Sequence, residues 1–426
     1  MAKYRSHINV ILILFTLFIF LFNGWYTDRN KVNTDGDAAD FISIAVSLVE
    51  HQKFGNVKVE GGIIKAFEEE NFPKEGYPFS QHTTWRPPVW PMIMAGIFFL
   101  FGYNLTYILI FKFLLHLFGT FIFYKTLKLL KFSELILIAG TFVYAISPSS
   151  QLYSRVFLSE PVTLFFITAW VYYLIKFLQA KVNFVPQAVL GGVIILTHPY
   201  SVFLPFSIWL FLFIKKQLNF KILTLSAVLC ISVISVWIVR NLIVLETQHI
   251  ILTTSSGAAL AIGWNENVPK QHTNTKGDLA DKNLVLKNYV YDKEILSNEV
   301  LSMNLYKNAT LQFIQKNPNL ILPIIIKKLT SAFNPFPETP KPSILEYGRA
   351  LTHLLALLSL LYIIFISKNK IYHSLAMGLI LSTILITILT YSGFRFRMPQ
   401  VGLELLLIMY VVQYIVQKRN INGRSI

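Results

Sequence analysis

Asp35, Asp37 and Asp40 crowd into the stretch Asn33-Thr34-Asp35-Gly36-Asp37-Ala38-Ala39-Asp40-Phe41. A carboxylate so placed can act as a general base, taking the proton from an attacking hydroxyl. The Asp35-x-Asp37 pair could also hold a divalent cation, although so short a pattern often arises by chance. A second set of groups is mostly cationic: Arg86, Arg155, His198, Arg240, Arg395 and Arg397, with Glu160 among them. Arginine's planar fork grips phosphate oxygens and keeps its charge. A base and a preorganised cationic clamp together suit transfer from a phosphate leaving group. Asp37 is the candidate base and Asp35, Asp40 and Glu160 are the supporting acids. The five arginines and His198 are the candidate phosphate contacts.

The elements that must position these groups are membrane helices. The chain is 54% hydrophobic and 14% charged, whereas soluble domains carry about 25% charged residues. Its 35 Phe and 20 Tyr suit lipid-facing and interfacial positions. A net charge of +16 could suggest nucleic acid. However, many of the lysines and arginines cluster at the ends of apolar runs, as orientation signals and lipid-headgroup partners do, and nucleic-acid binding is set aside. Cys230 is the sole cysteine, so no intramolecular disulfide staples the loops.

Ile8 to Gly24 reads as an uncleaved first span, with Lys3 and Arg5 holding the N-terminus in the cytoplasm. An external loop, residues 25–104, follows. Within it Ala38 to Val49 predicts an amphipathic helix, with Phe41, Ile44, Ala45, Leu48 and Val49 on one stripe. Asp37 at its start fits a helix N-cap as well as it fits a base. Asn56 to Ser80 reads as a mobile flap. Val89 to Gly102 is short for a span and suits an interfacial helix. This keeps Lys125, Lys128 and Lys131 cytoplasmic after the run Leu105–Tyr124.

Further spans are expected at Leu135–Leu152, Pro161–Leu178, Val185–Thr197, Tyr200–Ile214 and Ile222–Val239. The last three lie at Leu345–Ile366, Ile371–Tyr391 and Gln400–Val416, after a second external region, residues 241–343, with an interfacial helix at Pro323–Phe333. The expected fold is an all-α polytopic membrane protein of about ten spans. It forms one domain over residues 1–426, with juxtamembrane helices in two large external loops and both termini cytoplasmic. The candidate residues all fall at external span ends, where positive-inside orientation does not explain arginine. Ordinary readings stand beside the chemical ones. Arg155 and Glu160 fit a plain ion pair, His198 before Pro199 fits a polar helix end, and Lys112 and His116 carry no assignment. Glu404, one turn inside the last span, is placed to pair with an external arginine.

Four stretches, taken in order, resemble bacterial family 39 glycosyltransferases, relatives of the dolichyl-phosphate-mannose–protein mannosyltransferases and the lipid A aminoarabinose transferases. They are Asp37-Ala38-Ala39-Asp40-Phe41 with Ile44-Ala45 and Phe54-Gly55, and Arg86-Pro87-Pro88-Val89-Trp90-Pro91 with Leu100-Phe101-Gly102. The others are Ser154-Arg155 through Ser159-Glu160-Pro161, and Phe394-Arg395-Phe396-Arg397-Met398-Pro399. Arg240-Asn241 with Ser256-Gly257 and Gly263-Trp264-Asn265 is a looser match. The resemblance implies a GT-C-like fold, Asp37 as the catalytic carboxylate and a polyprenyl-phosphate-linked sugar donor. His198 stands where relatives commonly carry Arg or Lys, which implies a weaker or pH-dependent phosphate contact.

The expected activity is inverting transfer of a sugar to a protein, lipid or glycan acceptor at the external face of a bacterial cytoplasmic (inner) membrane. No cofactor is expected unless Asp35 and Asp37 hold a cation. Two alternatives stay open: a flippase for lipid-linked sugars, or a glycan polymerase or ligase using lipid-pyrophosphate donors. Transporters commonly show repeated halves and midplane charges, and neither is evident here.

Overall fold

Apolar runs of about 20 residues become helices because lipid offers no partner to a free backbone N–H or C=O. The computed structural model of the protein describes residues 36–69, 72, 75–180, 182–270, 281–287, 289–337 and 341–422. In chain order these form α1 (Asp37–His51), β1 (Gly55–Val57), α2 (Ile63–Glu68), β2 (Phe79–His82), α3 (Val89–Phe101), α4 (Leu105–Leu129), α5 (Glu134–Ala145), α6 (Pro148–Leu152) and α7 (Glu160–Ala180). They continue with α8 (Val185–Thr197), α9 (Phe203–Ile214), α10 (Phe220–Val244), α11 (Ser256–Gly263), α12 (Glu299–Lys316), α13 (Pro318–Phe333), α14 (Ile344–Phe365), α15 (Lys370–Leu389) and α16 (Val401–Asn422).

Among the described residues, seven segments are long and apolar enough to cross a membrane: α4, α5 with α6, α7, α10, α14, α15 and the stretch Arg395–Lys418. The chain is a helical membrane protein. The expected first span Ile8–Gly24 lies outside the described residues, as does Asp35. The expected spans Val185–Thr197 and Tyr200–Ile214 correspond to α8 and α9, of 13 and 12 residues. Each rises about 20 Å, against a hydrocarbon core of about 30 Å. They form a hairpin turned at His198-Pro199, with α8 packed on α7 and α10 and α9 on α15. A buried polar relay locks this hairpin: Trp209 Nε1 donates to Gln187 Oε1 at 2.6 Å, and Gln187 Nε2 donates to Ser226 Oγ at 2.9 Å.

Three local expectations change. The described residues of Asn56–Ser80 are not a bare flap, because β1 and β2 pair antiparallel and α2 lies between them in the chain. Val57, Ile63, Ala66, Phe67 and Tyr77 are buried in one apolar cluster with α1 and α3, which ties the segment down. A Cβ at Gly55 would lie 2.3 Å from the Gln81 carbonyl oxygen, so only glycine lets the two strands close. Helix α10 runs past Val239 and carries Arg240 inside it rather than at its end. Lys328, expected on an interfacial helix, is buried: its Nζ donates to the Ile388 carbonyl at 2.8 Å and lies 4.5 Å from the Trp264 ring centroid. Burial pushes this ammonium down to about 7.

Candidate active site

Helix α1 starts at Asp37, but its N-cap is Gly36, at φ 64, with no side chain to offer. The N-cap role expected for Asp37 is therefore taken by glycine, and the Asp37 carboxylate turns elsewhere. Its Oδ1 accepts from Arg86 Nη2 and its Oδ2 accepts from Arg395 Nη2 at 2.5 Å. One turn along α1, Asp40 Oδ2 accepts from Arg86 Nε at 2.9 Å and Nη2 at 2.8 Å. On the far side of Arg395, its Nε lies 3.4 Å from Glu160 Oε1, and His198 Nε2 lies 3.9 Å from the same oxygen. Five segments remote in sequence thus meet in one cluster.

Each segment is held by its own device. The residue after Arg395, Phe396, stacks on Tyr200 with centroids 4.2 Å apart and takes Tyr391 against its edge at 5.2 Å. Thr84 N and Thr254 Oγ1 donate to Glu299 Oε2 at 2.9 and 2.7 Å, and Thr83 Oγ1 donates to Oε1. Arg240 grips the same threonine pair, donating to Thr83 O and Thr84 Oγ1 at 3.0 Å, and to Phe54 O at 2.7 Å. Together these fix the approach to Arg86. Lys112, deep in α4, donates to the carbonyls of Tyr153 and Ser154 at 3.0 Å and to Val156, which sets the loop that leads into Glu160.

The cluster forms one wall of a cavity of about 410 Å³. Asp37, Arg86, Glu160, His198 and Arg395 line that wall, while Ile250, Leu252, Met303, Ile386 and Phe396 give the cavity an apolar side. Among the described residues, His198 Nδ1 is buried without a hydrogen-bond partner, and Glu160 Oε1 has the ion-pair contact with Arg395 but no hydrogen bond. A buried orphan polar atom is costly, and at a cavity wall it marks a place for a ligand. Burial raises the Asp37 carboxyl, but Arg86 and then Arg395 outweigh it and hold the group down at about 2. Burial, reinforced by Arg395, holds His198 at about 3, so its imidazole is neutral and accepts or donates a hydrogen bond without charge. Arg86 and Arg395 are therefore the cations that face this cavity.

Of the candidate residues, the structure brings Asp37, Arg86, Glu160, His198 and Arg395 to one cavity, with Asp40 behind Arg86. Arg155, Arg240 and Arg397 are not in the cavity lining. Arg240 is the clasp just described, and Arg397 donates to Glu404 at 2.9 Å, inside the helices. Sequence reasoning missed Thr253 and the apolar run Ile250–Leu252, which carry no motif, and Glu299, which reads as an ordinary first-turn acid. Tyr200 and Tyr391 flank motifs already noted, and their aromatic character was the available signal. Among the described residues, no group of three or more His, Cys, Asp or Glu side chains is placed to hold a metal ion.

These features define a class: a helical membrane protein with an arginine–carboxylate site at the entry of α7 and the end of α15. Compared with protein families, curated proteins and solved structures, the chain finds no match.

Proposed function

We propose that this cavity is the active site of a glycosyltransferase that moves a sugar from a polyprenyl-phosphate donor to an acceptor hydroxyl. The observation that carries the proposal is the bridging of Asp37 by Arg86 and Arg395, one guanidinium to each carboxylate oxygen, beside an apolar wall. A lipid phosphate needs both halves, cations for its charge and hydrocarbon for its chain. The ordered resemblance to family 39 glycosyltransferases supports the same assignment, with Asp37 as the base.

The clamp also suggests how the base is switched on. With two guanidiniums on it, Asp37 is a poor proton acceptor. An arriving phosphate competes for Arg86 and Arg395 and withdraws their hydrogen bonds from Asp37. The carboxylate then becomes more basic when the acceptor hydroxyl must lose its proton. That hydroxyl oxygen bonds to the anomeric carbon from the face opposite the phosphate. The departing C–O electron pair goes to the phosphate, where the guanidiniums meet the growing charge. Sugar transfer on the external face of a bacterial inner membrane is part of this proposal.

Mass spectrometry of glycolipids and glycoproteins tests it, on cells carrying the wild-type protein, Asp37→Asn or none. One glycan lost in the last two arms is the expected result. A wild-type glycan level in Asp37→Asn at equal protein abundance sinks the reading. Sugar movement across vesicles without acceptor would favour a carrier.

A further inference from the structure

Behind the Trp85-Arg86 wall lies a second cavity of about 280 Å³, and its character differs from the first. Its walls are mainly polar, with the amides of Asn56 and Gln81, the carboxylates of Asp40 and Glu299, the Lys282 ammonium and the Trp85 ring. Asn56 and Gln81 are cross-strand partners in the β1–β2 ladder, so their amides project side by side from one face. Lys282 Nζ stands 5.1 Å from the Trp85 ring centroid and 5.4 Å from that of Tyr306. Glu299 accepts three bonds from threonine donors and Asp40 Oδ2 accepts two from Arg86, so each acid brings only its remaining lone pairs to the cleft. Trp85 lines both cavities, and Arg86 Nη2 donates both to Asp37, which lines the first, and to Asp40, which lines the second.

We infer that this cleft binds the acceptor and that the acceptor is a carbohydrate. The inference rests on the transfer reading above and adds the acceptor's chemistry to it. Two carboxylates against one ammonium disfavour an anion, and the scarcity of apolar wall disfavours a lipid chain. Planar amides, a carboxylate, an ammonium and an indole are the partners that sugar hydroxyls and C–H faces accept. The acceptor hydroxyl reaches across Arg86, gives its proton to Asp37, and forms the new C–O bond as the donor's C–O bond breaks toward phosphate.

Saturation-transfer NMR on the full-length protein in lipid nanodiscs tests this, with free glucose, galactose, mannose and N-acetylglucosamine as probes and a serine/threonine peptide as the comparison ligand. At least one sugar is expected to bind. Gln81→Ala, on an exposed side chain, and Lys282→Ala should each weaken that binding about tenfold, the loss of roughly one good hydrogen bond, with unchanged unfolding temperature. Absence of binding by all four sugars overturns the inference, as does sugar binding that both variants leave intact. Peptide binding that Gln81→Ala abolishes, without sugar binding, assigns the cleft to protein instead. The two readings fail separately. Sugar bound here with no glycan lost on removing the protein would sink transfer alone. A lost glycan with a normal product level in both cleft variants would sink the cleft alone.

Discussion

Arg395 and Arg397 stand two residues apart, each paired with a carboxylate, yet their surroundings are opposite. Arg395 and its partner Asp37 keep 23% and 24% of their side-chain surface exposed and border a cavity. Arg397 and Glu404 keep 9% and 2%, and Glu404 also holds His353 Nδ1 at 2.7 Å with that histidine wholly buried. In the tight turn Phe394–Gln400 the two arginines leave on different sides, one toward α1 and α7, the other into the packing of α14 and α16. The difference separates two uses of one interaction. A sealed ion pair whose partners are all protein holds helices in register, and breaking it leaves an uncompensated buried charge. A pair at a cavity wall can exchange partners when an anion arrives. The same residue types therefore serve structure or chemistry according to what else can reach them.

The largest expected contrast comes from Asp37→Asn, which should lower transfer by about 10²- to 10⁴-fold while the protein stays folded. Donor-dependent product formation measured beside thermal unfolding checks it, and loss of folded protein in equal measure would erase the distinction between the two clusters. Glu404→Gln should act the other way. It should destabilise the fold by about 3–5 kcal/mol and lower the yield of folded protein, with the remaining molecules turning over normally. A stable, inactive Glu404→Gln protein would mean that the sealed cluster also takes part in catalysis.

Smaller effects sharpen the picture. Arg395→Lys keeps the charge but loses the planar fork that spans Asp37 and Glu160. Transfer should fall about tenfold, less than for outright removal of a donor, and activity equal to wild type would show that the fork is unnecessary. The smallest effect is in pH. Asp37 has a folded value of about 2, below its ordinary 3.8. Its pairing therefore contributes stability above about pH 4 that is lost as pH falls toward about 2. The gap in unfolding temperature between wild type and Asp37→Asn should be flat from about pH 5 to about pH 8 and close only in acid. A gap that closes near neutrality would place the carboxyl in a different environment.

Much of the architecture was legible because it follows from local chemistry. Long apolar runs such as Leu105–Leu129 and Phe220–Val244 must be helical in lipid, although both helices run on past the expected ends Tyr124 and Val239. The stripe of Phe41, Ile44, Ala45, Leu48 and Val49 foretold a helix but not its burial: Phe41 to Ser47 are buried on every side, while Leu48 and Val49 are only half-buried. The pairing of Glu404 with an arginine was also readable, since an acid one turn inside a span needs a cation within reach. The order of Asp37, Arg86, Glu160 and Arg395 along the chain was visible through their types. Their convergence was not, because Asp37 and Arg395 are 358 residues apart and no local propensity encodes that approach.

The sequence by itself determined that this is a helical membrane chain with acids and arginines at its span ends, because burial of apolar runs and satisfaction of backbone groups are properties of each segment alone. The tertiary structure alone decided which charges share a cavity. It set Arg395 on Asp37 and Arg397 on Glu404, turned Arg240 and Lys112 into braces, and opened a polar cleft behind Arg86. The physical reason is that an ion pair's role depends on its distance, burial and competing partners. Those are fixed by how distant helices pack, not by the residues on either side of it in the chain.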